Sequence, residues 1–308
     1  MKGLYRLFLC LFFTGMTTGL LGGPALVAGE CGTLLVSQDF TEALASVLTA
    51  ETGITVIRAI PADYAPDVHT SFLKKRWKDF AGDAIRADAV ITTAAAWPAE
   101  PLYAWGRRAN IRLVHIDAVQ PLDHSRAGLP LLGLPDGSGV APFVWHSPGH
   151  AARMADIVAM DLGRLFPETR EQIDQNLDEF KRALFRLRTK YEIAFGALER
   201  FELVSLTSDF TYLTDECGVS VVDFFLKPEL KWQADDLDLL AKSLEENGVN
   251  GVICSWEPQE RILSWIREHG AHVIILKRFK LIRTEPAAGQ LLTYYASNLE
   301  ALLQGLSE

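Results

Sequence analysis

From Thr33 onward, short apolar runs rich in β-branched residues alternate with longer stretches whose apolar positions recur every three or four residues. TLLVS (33–37), ITVIR (54–58), DAVIT (88–92) and RLVHI (112–116) have the continuous hydrophobic character of buried strands, and helical patterns near 40–51, 72–86 and 98–108 lie between them. The pattern restarts after residue 200 with FELVSL (201–206), VSVVDF (219–224), NGVICS (250–255) and AHVIIL (271–276), again with helices between. Strands alternating with helices predict parallel βαβ units, so the expected fold is α/β: two lobes with parallel sheets.

Residues 169–201 contain no proline and only one glycine. Leu177, Phe180, Leu184, Leu187, Tyr191 and Phe195 follow at spacings of three and four, which places them on one face of a helix of about seven turns. The expected organisation is an N-terminal lobe over 30–168, one long linking helix over 169–200 that touches both lobes, and a C-terminal lobe over 201–308.

The first residues differ in kind. Lys2 and Arg6 precede an apolar run from Leu7 to Leu21, followed by Gly22, Gly23, Pro24 and the small-residue stretch Val27-Ala28-Gly29. These are the charged, apolar and cleavage regions of a secretory signal peptide, expected over 1–29. The apolar core is short and interrupted by glycine and threonine, unlike a membrane span. Glu30 stands before Cys31 where a lipid-anchored cysteine would have a small residue. Loss of residues 1–29 removes two cations and makes the rest more acidic than the −9 of the whole chain, a balance that argues against nucleic acid or an anionic membrane as a partner. Cys31, Cys217 and Cys254 then remain. In an oxidising compartment the last two could pair, and no CxxC suggests a thiol-based metal or redox site. The chain also lacks GxSxG, HExxH, GxxxxGK[ST] and GxGxxG, so nothing in it argues for an enzyme.

Five stretches, in order, carry a resemblance: DVHTSF (67–72), ADAVITT (87–93), PFVWHSP (142–148), SDFTYLTDECGV (208–219) and SWEPQERILSWIREHGAHVIIL (255–276). Together they resemble the periplasmic substrate-binding proteins of zinc and manganese ABC transporters, whose two α/β lobes are tied by one long helix. The resemblance implies an exported, monomeric protein that captures a ligand, a metal ion or metal complex, between its lobes and delivers it to a membrane permease. It also implies four ligand loops. His69 in PDVH is the nearest match to the first histidine. The second histidine should lie two residues before Trp145, where Phe143 stands; the third ligand, five before Tyr212, is replaced by Thr207; the fourth, an aspartate, is replaced by Lys277. Phenylalanine has no lone pair to donate and lysine brings a positive charge, whereas zinc needs about four nitrogen, sulfur or oxygen donors. Zinc or manganese binding is therefore expected to be weak, resting on His69 with His146 and Asp209 as helpers.

Other histidines have simpler readings. Ser147 and Pro148 have the form of an N-cap and first helical residue, which leaves His146 and His150 as surface residues beside a helix start. His269 and His272 flank Gly270 at a helix end. His115 lies within an apolar strand, and His124 in a loop. A second reading comes from the aromatics: if several of Trp97, Phe143, Trp145 and Trp256 line the cleft with Thr207 and with Lys277 or Arg278, it would suit a small anionic or aromatic ligand. A third keeps the scaffold for binding a protein partner, with the ligand site lost.

Overall fold

The computed structural model describes residues 31–123 and 126–308; the expected signal peptide and His124 lie outside the described residues. Among the described residues, eight strands form two sheets of four. The first contains β1 (Gly32–Val36), β2 (Ile54–Arg58), β3 (Ala89–Thr92) and β4 (Val114–Asp117), in the order β2-β1-β3-β4. The second contains β5 (Glu202–Ser205), β6 (Ser220–Phe224), β7 (Gly251–Cys254) and β8 (His272–Ile275), in the order β6-β5-β7-β8. Every strand pairing is parallel, with Leu34 opposite Val56 and Ala89 in the first sheet and Val204 opposite Val252 in the second. The central strands β3 and β7 are buried at every residue, as parallel strands covered on both faces must be.

The helices are α1 (Asp39–Leu48), α2 (His69–Lys75), α3 (Trp77–Arg86), α4 (Leu102–Ala109), α5 (Pro148–Leu165), α6 (Arg170–Phe195), α7 (Thr211–Glu216), α8 (Ala234–Asn247), α9 (Glu260–Glu268) and α10 (Ala287–Ser307). The single helix expected over 72–86 is two, broken at Arg76, whose backbone leaves the helical region (φ −104°, ψ 22°). The helix expected from 98 begins at Leu102, because Pro98 and Pro101 confine the preceding chain to turns.

The helix α6 is continuous across 26 residues and links the two lobes. Its Ile173, Phe180 and Leu184 belong to the core of the first lobe, and its Tyr191 and Phe195 to that of the second. The last helix is also shared. On α10, Leu291, Tyr294 and Tyr295 pack in the first core, while Leu299, Leu302 and Leu306 pack in the second. Two helices therefore run along the junction, and the first half of α10 serves the lobe opposite to the one its place in the sequence suggests.

The pairing considered for Cys217 and Cys254 is absent: all three described cysteines are free. Cys254 ends a central strand and its thiol donates to the carbonyl of Trp256. Cys217 follows α7 beside Arg188 and Tyr191 of α6, and burial together with the Glu216 charge pushes its thiol up to about 12. Each thiol is held against different elements.

Candidate functional site

In both sheets the two central strands leave in opposite directions along the sheet, so the loops after their carboxyl ends diverge and open a crevice. In the first lobe the buried carboxyl of Glu100 ties these loops together. Ser37 donates its hydroxyl to Glu100 Oε1 (2.6 Å), and the Thr93 amide donates to Oε2 (2.8 Å). Burial pushes the Glu100 pKa up against these hydrogen bonds.

A cavity of about 390 Å³ lies where the two crevices face each other. Ser37 to Phe40, Arg58, Ala62 to Pro66 and His69 line it from the first lobe; Phe143, Trp145 and His146 enter from the segment before α5; Arg278 and Phe279 enter from the loop after β8. The α5 start is built as expected, with the Ser147 hydroxyl accepting from the His150 amide (3.0 Å) and Pro148 as the first helical residue. The same Ser147 hydroxyl donates to Glu216 of the second lobe, and Glu216 also accepts from the Gly149 amide (2.9 Å). A Cβ on residue 149 would stand 2.9 Å from Glu216 Oε1, so this approach requires glycine.

His69 is 3% exposed at the first residue of α2. Its Nε2 faces the Tyr64 carbonyl at 3.2 Å, and Trp97 packs edge-on against it at 5.6 Å, behind the cavity wall. Nε2 therefore carries the hydrogen, and Nδ1, buried and without a partner, presents a bare lone pair. Burial lowers the pKa of this ring, which keeps it neutral at pH 7.

His146 is buried, 2% exposed, and the expected surface position is wrong for a tertiary reason. Residues 144–146 form a single 3₁₀ turn, which swings the ring inward between Phe143 (5.4 Å) and Phe210 (4.8 Å). Its Nδ1 donates to the Asp209 carbonyl across the lobe junction (2.9 Å), and burial brings its pKa down to about 4. His150 is half-buried and meets Tyr212 edge-on at 5.1 Å.

Asp209 is buried in the turn after β5, where its amide donates to Thr207 Oγ1 (3.2 Å). Its carboxylate is engaged: Arg278 Nε lies 2.5 Å from Asp209 Oδ2. The Arg278 guanidinium stands over the Phe143 ring, 5.6 Å from its centroid. Lys277, the expected cleft cation, is outside the cavity lining and borders an outer groove against α10, whose rim it shares with Arg278 and Phe279. Trp97 and Thr207 are also outside the cavity lining, as is Trp256, exposed with its indole bonded to Glu229 (2.5 Å). Phe143 and Trp145 do line it, and Trp145 stacks on Phe40 at 5.4 Å.

Sequence reasoning passed over Arg58, Phe40 and Tyr64. Arg58 is visible in retrospect as the single charge ending an apolar strand, at the sheet edge where ligands bind. Its side chain is buried among Asp39 (2.6 Å), Glu42 (3.0 Å) and the Ile60 carbonyl (2.6 Å). Among the described residues, no group of three or more His, Cys, Asp or Glu side chains is placed to hold a metal ion.

A model of the periplasmic component A of the zinc-uptake complex, ZnuA, matches residues 83–308. The chain belongs to this family. It is a ZnuA-family solute-binding protein of the metal ABC-transporter class. Solved structures share its fold. A mutant of FpvC from Pseudomonas aeruginosa is 17% identical, with a TM-score of 0.72, 89% of this chain and 98% of that chain covered. A periplasmic metal binding protein from Candidatus Liberibacter asiaticus is 12% identical, with a TM-score of 0.70 and coverages of 89% and 99%. Zn(II)-bound AdcA from Streptococcus pneumoniae is 17% identical, with a TM-score of 0.69, 90% of this chain and 58% of that chain covered. No curated protein matches the chain by sequence.

Proposed function

We propose that this ZnuA-family protein is exported with loss of residues 1–29, works as a monomer that closes on a ligand between its lobes and passes it to an ABC permease, and holds zinc or manganese only weakly. Family membership supports the receptor role. The Arg278–Asp209 pair carries the statement about metal: the guanidinium already satisfies the buried Asp209 carboxylate beside the cleft and would repel a dication brought near it. With Nε2 of His69 and Nδ1 of His146 each donating to a carbonyl, the two rings offer one bare nitrogen apiece, short of the roughly four donors that zinc takes.

Isothermal titration of metal-free protein with zinc and with manganese tests this. The expected result is weak, unsaturated heat for both ions. Tight one-to-one binding that His69→Ala abolishes would overturn the weak-metal statement. Export is checked by the intact mass of protein recovered outside the cytoplasm, which should begin near Gly29 or Glu30; a chain retaining Met1 would refute it.

A further inference from the structure

The cleft contains two groups that the metal reading leaves unexplained. The first is the far end of Arg278. Nε is bound to Asp209, yet the side chain is 58% exposed, and both Nη groups lack a partner among the described residues. Guanidinium geometry makes that free edge a two-pronged donor suited to the two oxygens of a carboxylate, and stacking over Phe143 holds the fork in place. The second is His69 Nδ1, a buried acceptor with no donor in a ring that is nearly inaccessible. A buried acceptor left without a donor is costly, and a ligand donor that reached it would remove that cost. Five aromatic residues, Phe40, Tyr64, Phe143, Trp145 and Phe279, line the cavity, together with Asp39, which is paired with Arg58, and the carboxylate of Asp63. Its volume of about 390 Å³ lies within the range of small-molecule sites.

We infer that the cleft binds a small planar organic anion, with a carboxylate on the free edge of Arg278, a hydroxyl or N–H donating to His69 Nδ1, and a flat ring against the aromatic walls. This rests on the reading of the chain as a solute receptor with a weak metal site. Arg58 is not the anion anchor, because Asp39, Glu42 and the Ile60 carbonyl already engage it and Glu42 is further shared with Arg283. Arg278 is the specificity-determining cation and His69 selects for the second polar group. A bare inorganic anion would leave the aromatic walls and His69 unused.

The test is calorimetric titration of the full-length exported protein with the three hydroxybenzoate isomers, benzoate, phenol and zinc chloride. At least one hydroxybenzoate should bind one-to-one, with benzoate and phenol each about tenfold or more weaker, the first lacking the donor for His69 and the second the anion for Arg278. Arg278→Gln should weaken the hydroxybenzoate at least tenfold. Arg278→Lys should restore only part, since charge returns without the fork. His69→Phe, which keeps the ring and removes the acceptor, should erase the preference for hydroxybenzoate over benzoate; circular dichroism confirms that the variants are folded. If no isomer binds and zinc is also weak, the organic-anion inference is overturned and the weak-metal reading stands. Hydroxybenzoate binding that is indifferent to Arg278→Gln overturns the assignment of the anchor. Tight zinc binding overturns the weak-metal reading and this inference with it.

Discussion

His146 shows how much one side chain can depend on its surroundings. Stacked between Phe143 and Phe210 and bonded to the Asp209 carbonyl, it has little room for a proton, and burial lowers its pKa from 6.5 to about 4. Above pH 6.5 the ring is neutral in both folded and unfolded chains and the effect on stability is nil. Between 6.5 and about 4 the unfolded chain takes the proton and the folded chain does not, so stability falls by about 1.4 kcal/mol per pH unit from this group, about 3 kcal/mol in total. Below pH 4 both forms are protonated and the contribution levels off. Urea denaturation between pH 7.5 and 4 should show this loss, and His146→Phe, which keeps the aromatic stack, should have a shallower slope over the same window. An identical slope in the variant would mean that His146 titrates normally in the folded protein.

At the scale of elements, α6 and α10 carry the mechanical continuity of the molecule, since each contributes side chains to both cores. Leu184 of α6 is fully buried in the first core, whereas Ile193, on the outer face of the same helix, is 72% exposed. Leu184→Ala should cost about 2–5 kcal/mol, and Ile193→Ala should change stability by about 0.5 kcal/mol or less, both measured by urea denaturation. Because the helix is common to both lobes, Leu184→Ala should keep a single unfolding transition; two separated transitions would show that the lobes unfold independently. The periodic stripe that predicts α6 is legible in the sequence, since Phe180, Leu184, Tyr191 and Phe195 are all buried. The dual role of α10 is not, because apolar periodicity says which face is buried and nothing about which core receives it.

For the whole molecule, the junction is closed by polar contacts as well as by the two helices. The Tyr212 hydroxyl donates to the Ala141 carbonyl (3.0 Å), the Tyr295 hydroxyl to the Trp145 carbonyl (2.8 Å), and Arg283 reaches across to Glu42 (2.8 Å). With the His146 and Glu216 contacts, these leave little freedom for a hinge. Small-angle scattering should therefore give a radius of gyration that shifts by less than about 1 Å on addition of a saturating ligand, in the range of preorganised binding. A larger contraction would show that the free protein opens.

The sequence by itself determined the eight strands, the long helix and the two-lobed parallel architecture, because buried parallel strands and amphipathic helices are written in local periodicity that burial then rewards. It also placed Phe143 and Thr207 where the family resemblance implies metal ligands. Tertiary structure decided what faces the cleft instead. Arg278 rather than Lys277 lines it, held there by Asp209 from another loop. His146 is turned inward by one 3₁₀ turn whose inner face is completed by Phe210, 64 residues further along the chain. Asp209 is neutralised by a partner 69 residues away, and Trp97 stands behind His69 rather than in the cavity. Such pairings depend on side-chain direction and on contacts between lobes, which a linear pattern of hydrophobic and polar residues does not encode.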